Sequence, residues 1–247
     1  MNSSRPIYKL GAKTFSLSHE DADFEPVLDR LFPHSNGKRL DNERDIDVQM
    51  GLSHDVAECI RQIISQHQGC LLIQAACILA PNGQRVLISG APNTGKTTLA
   101  IALSLQCRWK VIAENTTIID TEKNRITSFA APFNLKPGTR AVLTDNGVAL
   151  PGFILREWFP IAREISGDDC PAGFEHSVHL EGELGDEKLT VSPSTPSEQT
   201  RKILPISNLL SVRGTDNFLQ LLPVQSCHVM SGGHLKDRLR HIIEMCS

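Results

Sequence analysis

The chain has no Cys-x-x-Cys pair. Its seven cysteines, Cys59, Cys70, Cys77, Cys107, Cys170, Cys227 and Cys246, are odd in number and scattered, a pattern that points to a reduced, cytoplasmic protein. No apolar run is long enough to cross a bilayer, and the polar start Met1-Asn2-Ser3-Ser4-Arg5-Pro6 lacks the character of a signal peptide, so no membrane is expected. There is no basic excess either. A formal net charge of −3 argues against a general nucleic-acid partner. An Asn-Lys-x-Asp element is also missing, which disfavours a dedicated guanine switch. What remains is a chain of 247 residues, 40% hydrophobic, able to bury the core of one domain with an accessory segment.

Against these absences stands one specific motif. Gly90-Ala91-Pro92-Asn93-Thr94-Gly95-Lys96-Thr97 matches the phosphate-binding pattern GxxxxGK[ST] at every fixed position. Its context is the one the motif needs. Arg85-Val86-Leu87-Ile88-Ser89 reads as a short buried strand, and Thr97 to Gln106 carries Leu99, Ile101, Leu103 and Leu105 in a helix-forming run. Glycines at both ends let successive amides face one anion, while the following helix aims its N-terminal partial charge at the same point. Loop residues Gly90 to Thr97, with Thr98 after them, are therefore the expected nucleotide contacts. Lys96 reaches for the β- and γ-phosphates, and the Thr97 hydroxyl is the expected Mg²⁺ ligand.

Around the motif the chain alternates short apolar runs and turns. Residues 1–66 mix strand-like pieces (Ile7 to Leu10, Lys13 to Leu17, Asp45 to Met50) with helices expected over Ala22 to Leu31 and Ser53 to Gln66, the second capped by Ser53. The crowded charges of Arg39 to Arg44 read as an exposed loop. Cys70 to Ala80 (CLLIQAACILA), the turn Pro81-Asn82-Gly83-Gln84 and the strand before the motif read as a hairpin, so that strand should pair antiparallel with its predecessor. A second hairpin is expected from Thr116–Asp120 and Arg125–Phe129 after a strand at Lys110–Ala113. The fold class is thus α/β on a mixed, partly antiparallel sheet, with an accessory α+β segment at residues 1–66 and the motif-bearing domain at residues 67–247.

In order and spacing, these pieces resemble the HPr serine kinase superfamily, whose relatives include lasso-peptide tailoring kinases and phosphoenolpyruvate carboxykinases. The resemblance rests on Gln74-Ala75, Pro81 to Gln84, the Gly90–Thr97 loop, Glu114-Asn115, the hairpin of Ile119 and Ile126, and Pro132-Phe133-Asn134-Leu135-Lys136-Pro137. It covers about a third of the chain, and more loosely takes in the N-terminal segment and Ile203 to Val224. Two positions depart from the family pattern: Gln74 stands where those proteins carry histidine, and Glu114-Asn115 stands for their pair of aspartates. The resemblance implies an ATP-dependent kinase that uses Mg²⁺ and phosphorylates a hydroxyl, most readily a serine of a protein or peptide. The alternatives are a small-molecule hydroxyl or a nucleotide-binding module without transfer, and homo-oligomers are compatible with either. Lys96, Glu114 and Gln74 are the catalytic candidates, and Thr97 and Glu114 the metal ligands. Glu114, after Val111-Ile112-Ala113, would also serve as base, whereas Asn115 offers only an amide.

Weaker candidates are few. Ser231-Gly232-Gly233-His234 reads as a turn into a C-terminal helix, and Gly167–Gly173 and Ser192–Thr200 as mobile connections. His176 and His179 are read as sharing one strand face, a metal pair without a third ligand nearby. Arg201, Arg213, Arg238 and Arg240 are weighed as further phosphate contacts against solvated surface cations, and Trp158 as core or lid.

Overall fold

The computed structural model describes residues 7–10, 13–18, 31–32, 46–49, 56–152, 157–161, 166–185, 188–212 and 224–247. At the N-terminus β1 (Ile7–Leu10), β2 (Lys13–Ser18) and β3 (Ile46–Gln49) form a small sheet, antiparallel between β1 and β2 and parallel between β2 and β3. Those are the three strand-like pieces expected there. The helix expected over Ala22–Leu31, the charged loop Arg39–Arg44 and the cap Ser53 lie outside the described residues, apart from Leu31. Helix α1 (Val56–Ser65) follows, with Val56, Cys59, Ile60 and Ile63 buried along one stripe, the spacing of three and four residues that a single helix face requires.

The apolar run Cys70–Ala80 does not form one strand. It breaks at Gln74-Ala75 into β4 (Leu71–Ile73) and β5 (Ala76–Leu79), which belong to different sheets. At the break the Ala75 amide donates back to the Ile73 carbonyl (2.8 Å), and the Gln74 amide donates to the carbonyl of Ile206 (2.8 Å). β5 then turns into β6 (Arg85–Gly90) through the expected hairpin and pairs with it antiparallel. The loop 91–95 leads into α2 (Lys96–Cys107), buried from Thr98 to Ser104 on all sides, as an Ala/Leu/Ile helix without a polar face should be.

Beyond α2 come β7 (Lys110–Ala113), the hairpin β8 (Thr117–Asp120) and β9 (Arg125–Thr127), β10 (Phe133–Asn134), α3 (Pro137–Asp145) and β11 (Trp158–Phe159). The rest of the chain supplies β12 (Cys170–Pro171), β13 (Phe174–Glu181), β14 (Thr190–Ser194), α4 (Pro196–Ile203), α5 (Leu209–Val212), β15 (Val224–Ser231) and α6 (Leu235–Met245). Six strands join in the order β14-β15-β13-β6-β5-β7, and four in the order β12-β9-β8-β4. The fold is mixed α/β on a mixed sheet. β6 runs parallel to β13, and β13 to β15, while β5 is antiparallel to both β6 and β7. Hence β6, β7, β13 and β15 all point the same way, and their carboxyl ends open on one edge. The start of β5, with Gln74 just before it, reaches that same edge. In open α/β sheets this is where ligands bind.

Strand alternation divides the core into two. Ala76, Ile78, Val86, Ile88, Val178 and Leu180 face a cluster containing α2, α3 and α6. Cys77 and Leu87, one residue out of phase, face the second cluster with α1, β4, β8 and β9. No helix among the described residues is long and apolar enough to cross a membrane.

Candidate functional site

The Gly90–Thr97 loop leaves β6 with Gly90 at φ 148°. A Cβ there would stand 2.6 Å from the Leu180 carbonyl oxygen of the neighbouring strand and 2.8 Å from Thr94 Oγ1, so backbone conformation and space both select glycine. Gly95, at φ 90°, caps α2 from the left-handed region without a side-chain bond, and a Cβ on it would meet Leu184 Cδ1 at 2.9 Å. The first amides of α2 have no carbonyl within the helix to pair with, and nothing on Gly95 competes for them. Lys96 folds its ammonium back over the loop and donates to the carbonyls of Gly90 and Ala91, both at 2.8 Å. Burial lowers its pKa, the charge of Glu114 raises it, and Lys136 lowers it again.

Glu114 follows β7 directly, and its amide donates to the Phe129 carbonyl (3.2 Å). Only 4% of it is exposed. Its carboxylate accepts a hydrogen bond from the Thr97 hydroxyl at 2.9 Å, joining the loop to the neighbouring strand exit. Burial pushes its pKa up to about 7, against the opposing pull of the Thr97 hydroxyl and the Lys96 charge. A hydroxyl and a carboxylate oxygen this close are hard oxygen donors of the type that Mg²⁺ selects. The two expected metal ligands therefore come together.

A cavity of about 1040 Å³ opens over this pair, lined by the loop, Glu114, Asn115 and Gln74. That is at the top of the range for small-molecule sites. Its lining also includes the apolar side chains of Ile60 and Ile64 of α1, Leu72, Pro205 and Ile206. Trp158, pairing through β11 with Asn134 of β10, lines the cavity and packs against the core around α1. Thr98, expected among the nucleotide contacts, is buried, and its hydroxyl donates to Thr139 Oγ1 of α3 at 3.4 Å.

Gln74 does not lie within a continuous strand. Alternation along one continuous strand would aim it at Glu114, but it sits at the break between β4 and β5 with its side chain exposed. It lines the cavity, yet among the described residues no hydrogen bond joins its amide to Glu114. Asn115, at φ 59°, also lines the cavity from the turn after β7. Two residues not named among the site candidates line it as well. Lys136, just before α3, reaches Asn93 Oδ1 at 3.5 Å, and Glu183 stands at the exit of β13. Nothing local marks Glu183, because only the pairing of β13 with β6 brings that chain position to the loop.

The weaker candidates resolve differently. His176 and His179 are three positions apart, so a strand turns them to opposite faces: His176 Nε2 pairs with Gln84 Oε1 (3.2 Å) and His179 Nδ1 with Ser89 Oγ (3.0 Å). No group of three metal-ligating side chains occurs among the described residues. Ser192–Thr200 is ordered as β14 and α4, the helix opened by a capping box between Thr195 and Glu198. Gly167–Gly173 is pinned where Asp169 accepts the Ser128 amide (2.7 Å) and β12 pairs with β9. The glycine pair Gly232-Gly233 does turn the chain into α6. Arg201 and Arg240 are exposed, and Arg213 lies outside the described residues. Arg238, by contrast, is fully buried. Neither protein-family models nor curated protein sequences give a match to this chain.

Proposed function

We propose that the chain binds ATP with Mg²⁺ at the Gly90–Thr97 loop and transfers the γ-phosphoryl group to a hydroxyl, with a serine of a protein or peptide as the acceptor. The observation that carries this reading is the 2.9 Å bond between Thr97 and Glu114 at the mouth of the cavity, reinforced by the sequence resemblance to HPr-kinase-like proteins. Lys96 would exchange its two loop carbonyls for phosphate oxygens. Thr97 and Glu114 would hold Mg²⁺, which supplies charge neutralisation on the phosphates. The acceptor oxygen attacks the γ-phosphorus in line, the bond to the β-phosphate oxygen breaks, and ADP leaves. Glu114, at the same strand exit, would also accept the hydroxyl proton as the new bond forms. Calorimetry with Mg·ATP tests the binding step. The wild type should bind, and Lys96→Ala should lose on the order of 100-fold in affinity, the scale of charge-assisted hydrogen bonds to phosphate. Equal affinities in the two proteins would refute the nucleotide site.

A second reading keeps the nucleotide and drops the transfer. It is favoured by Gln74, which stands off the strand, makes no bond to Glu114 and cannot exchange a proton near neutral pH. Intact Mg·ATP binding with no turnover toward serine peptides or small-molecule alcohols would select it.

A further inference from the structure

Arg238 is the largest fully buried side chain described, and among the described residues no carboxylate pairs with it. Its guanidinium donates instead to three backbone carbonyls: Nη1 to Thr94 (2.8 Å), Nε to Gly232 (2.8 Å) and Nη2 to Glu183 (3.1 Å). These carbonyls follow β6, β15 and β13, three parallel strands that end on the edge where the site lies. One side chain from α6 thus fastens three strand exits that are far apart in sequence.

The bond to Thr94 has a directional consequence. No peptide bond in the described chain is cis, and a trans peptide carries its carbonyl and its N–H on opposite sides. Holding the Thr94 carbonyl toward Arg238 therefore turns the Gly95 N–H the other way. Gly95 lines the cavity and Arg238 does not, so that N–H is turned to the cavity side. Gly95 has in turn no room for a side chain, because Leu184, next to Glu183, packs against it. Beneath this peptide lies a positive charge that cannot be shed and that has only carbonyl dipoles as partners.

We propose that Arg238 is a positioning residue for the anion site: it aims the Gly95 amide at the bound phosphates from beneath the loop and adds a buried positive charge that those phosphates offset. This rests on the nucleotide reading above. Arg238 acts through the loop and does not touch the ligand.

The experiment uses the full chain with Mg·ATP, in the wild type, Arg238→Lys and Arg238→Met. Affinity is measured by calorimetry, and the Gly95 amide resonance is followed by ¹⁵N–¹H correlation spectra. In the wild type ATP should move the Gly95 resonance strongly downfield. In Arg238→Met that displacement should shrink and affinity should fall at least tenfold, the scale of a unit charge acting across about 12 Å through an effective dielectric near 20. Arg238→Lys, which keeps the charge but cannot span three carbonyls, should fall between. Folded variants with wild-type affinity and a wild-type Gly95 displacement would overturn the proposal, whatever their thermal stability. If Arg238→Met does not fold by circular dichroism, Arg238→Lys decides by the same two readouts. A wild type that binds no Mg·ATP would overturn the nucleotide reading, and this inference with it.

Discussion

Glu114 at the exit of β7 is bonded through its carboxylate to one hydroxyl, that of Thr97, whereas Arg238 in the first turn of α6 is bonded to three carbonyls. Both side chains are buried beside the same loop. The difference lies in how each charge tolerates burial. A carboxylate can escape the cost of desolvation by taking a proton, and the pKa of about 7 at Glu114 records that escape. An arginine cannot, and at Arg238 each of the three nitrogens finds a carbonyl instead. The under-bonded acid keeps lone pairs and a proton equilibrium available for chemistry. The cation, bonded through every nitrogen, is fixed, and fixes what it touches.

Glu114→Gln tests that contrast most strongly. The amide keeps the shape and can still accept from Thr97, but it cannot take a proton or offer a charge to Mg²⁺. Phosphoryl transfer should fall on the order of 10²-fold or more, the scale of a positioned general base, while nucleotide binding persists. Single-turnover assays beside calorimetry separate the two effects. Unchanged transfer in the variant would show that the acid is as structural as Arg238.

The loop, the helix after it and Glu114 were legible because each is a local signal: fixed spacing of glycines, lysine and threonine, or an acid closing an apolar strand. The break at Gln74-Ala75 was not, since neither residue is a turn former and the whole run Cys70–Ala80 looks like one strand. What splits it is the amide of Gln74 bonding to Ile206, more than a hundred residues away. Arg238 stood among four candidate arginines, but its buried role was hidden for the same reason, its three partners lying at positions 94, 183 and 232. Ser192–Thr200 is a different kind of miss. Thr195-Pro196-Ser197-Glu198 carries the capping-box spacing with proline at the first helical position, a signal obscured by reading serine, threonine and proline as loop composition.

The pH dependence of Glu114 sharpens the comparison by a smaller amount. In the unfolded chain this carboxyl titrates near 4.5 and in the folded one at about 7. Between those values the folded state binds more protons, so its stability without ligand declines as pH rises through that window, by up to roughly 3 kcal/mol. Denaturant unfolding at pH 5 and pH 8 should show that decline in the wild type and lose it in Glu114→Gln. A wild-type stability that rises across this interval would place the proton elsewhere.

Lys136 offers the smallest and most discriminating test, because it is a cation beside the same loop with neither feature of Arg238. It is exposed, and among the described residues its one side-chain bond is a long one to Asn93 Oδ1 at 3.5 Å. Its charge nevertheless lowers the proton affinity of Lys96, so it belongs to the electrostatics of the site. Solvent and salt screen such a group, and exposed pairs are worth at most about 1 kcal/mol. Lys136→Ala should therefore weaken Mg·ATP binding roughly threefold at low salt, a loss that fades at high salt, whereas the loss in Arg238→Met persists because water and ions do not reach its site. Calorimetry of both variants at two ionic strengths makes the distinction. A Lys136→Ala loss that equals that of Arg238→Met and resists salt would mean that burial is not what separates the two cations.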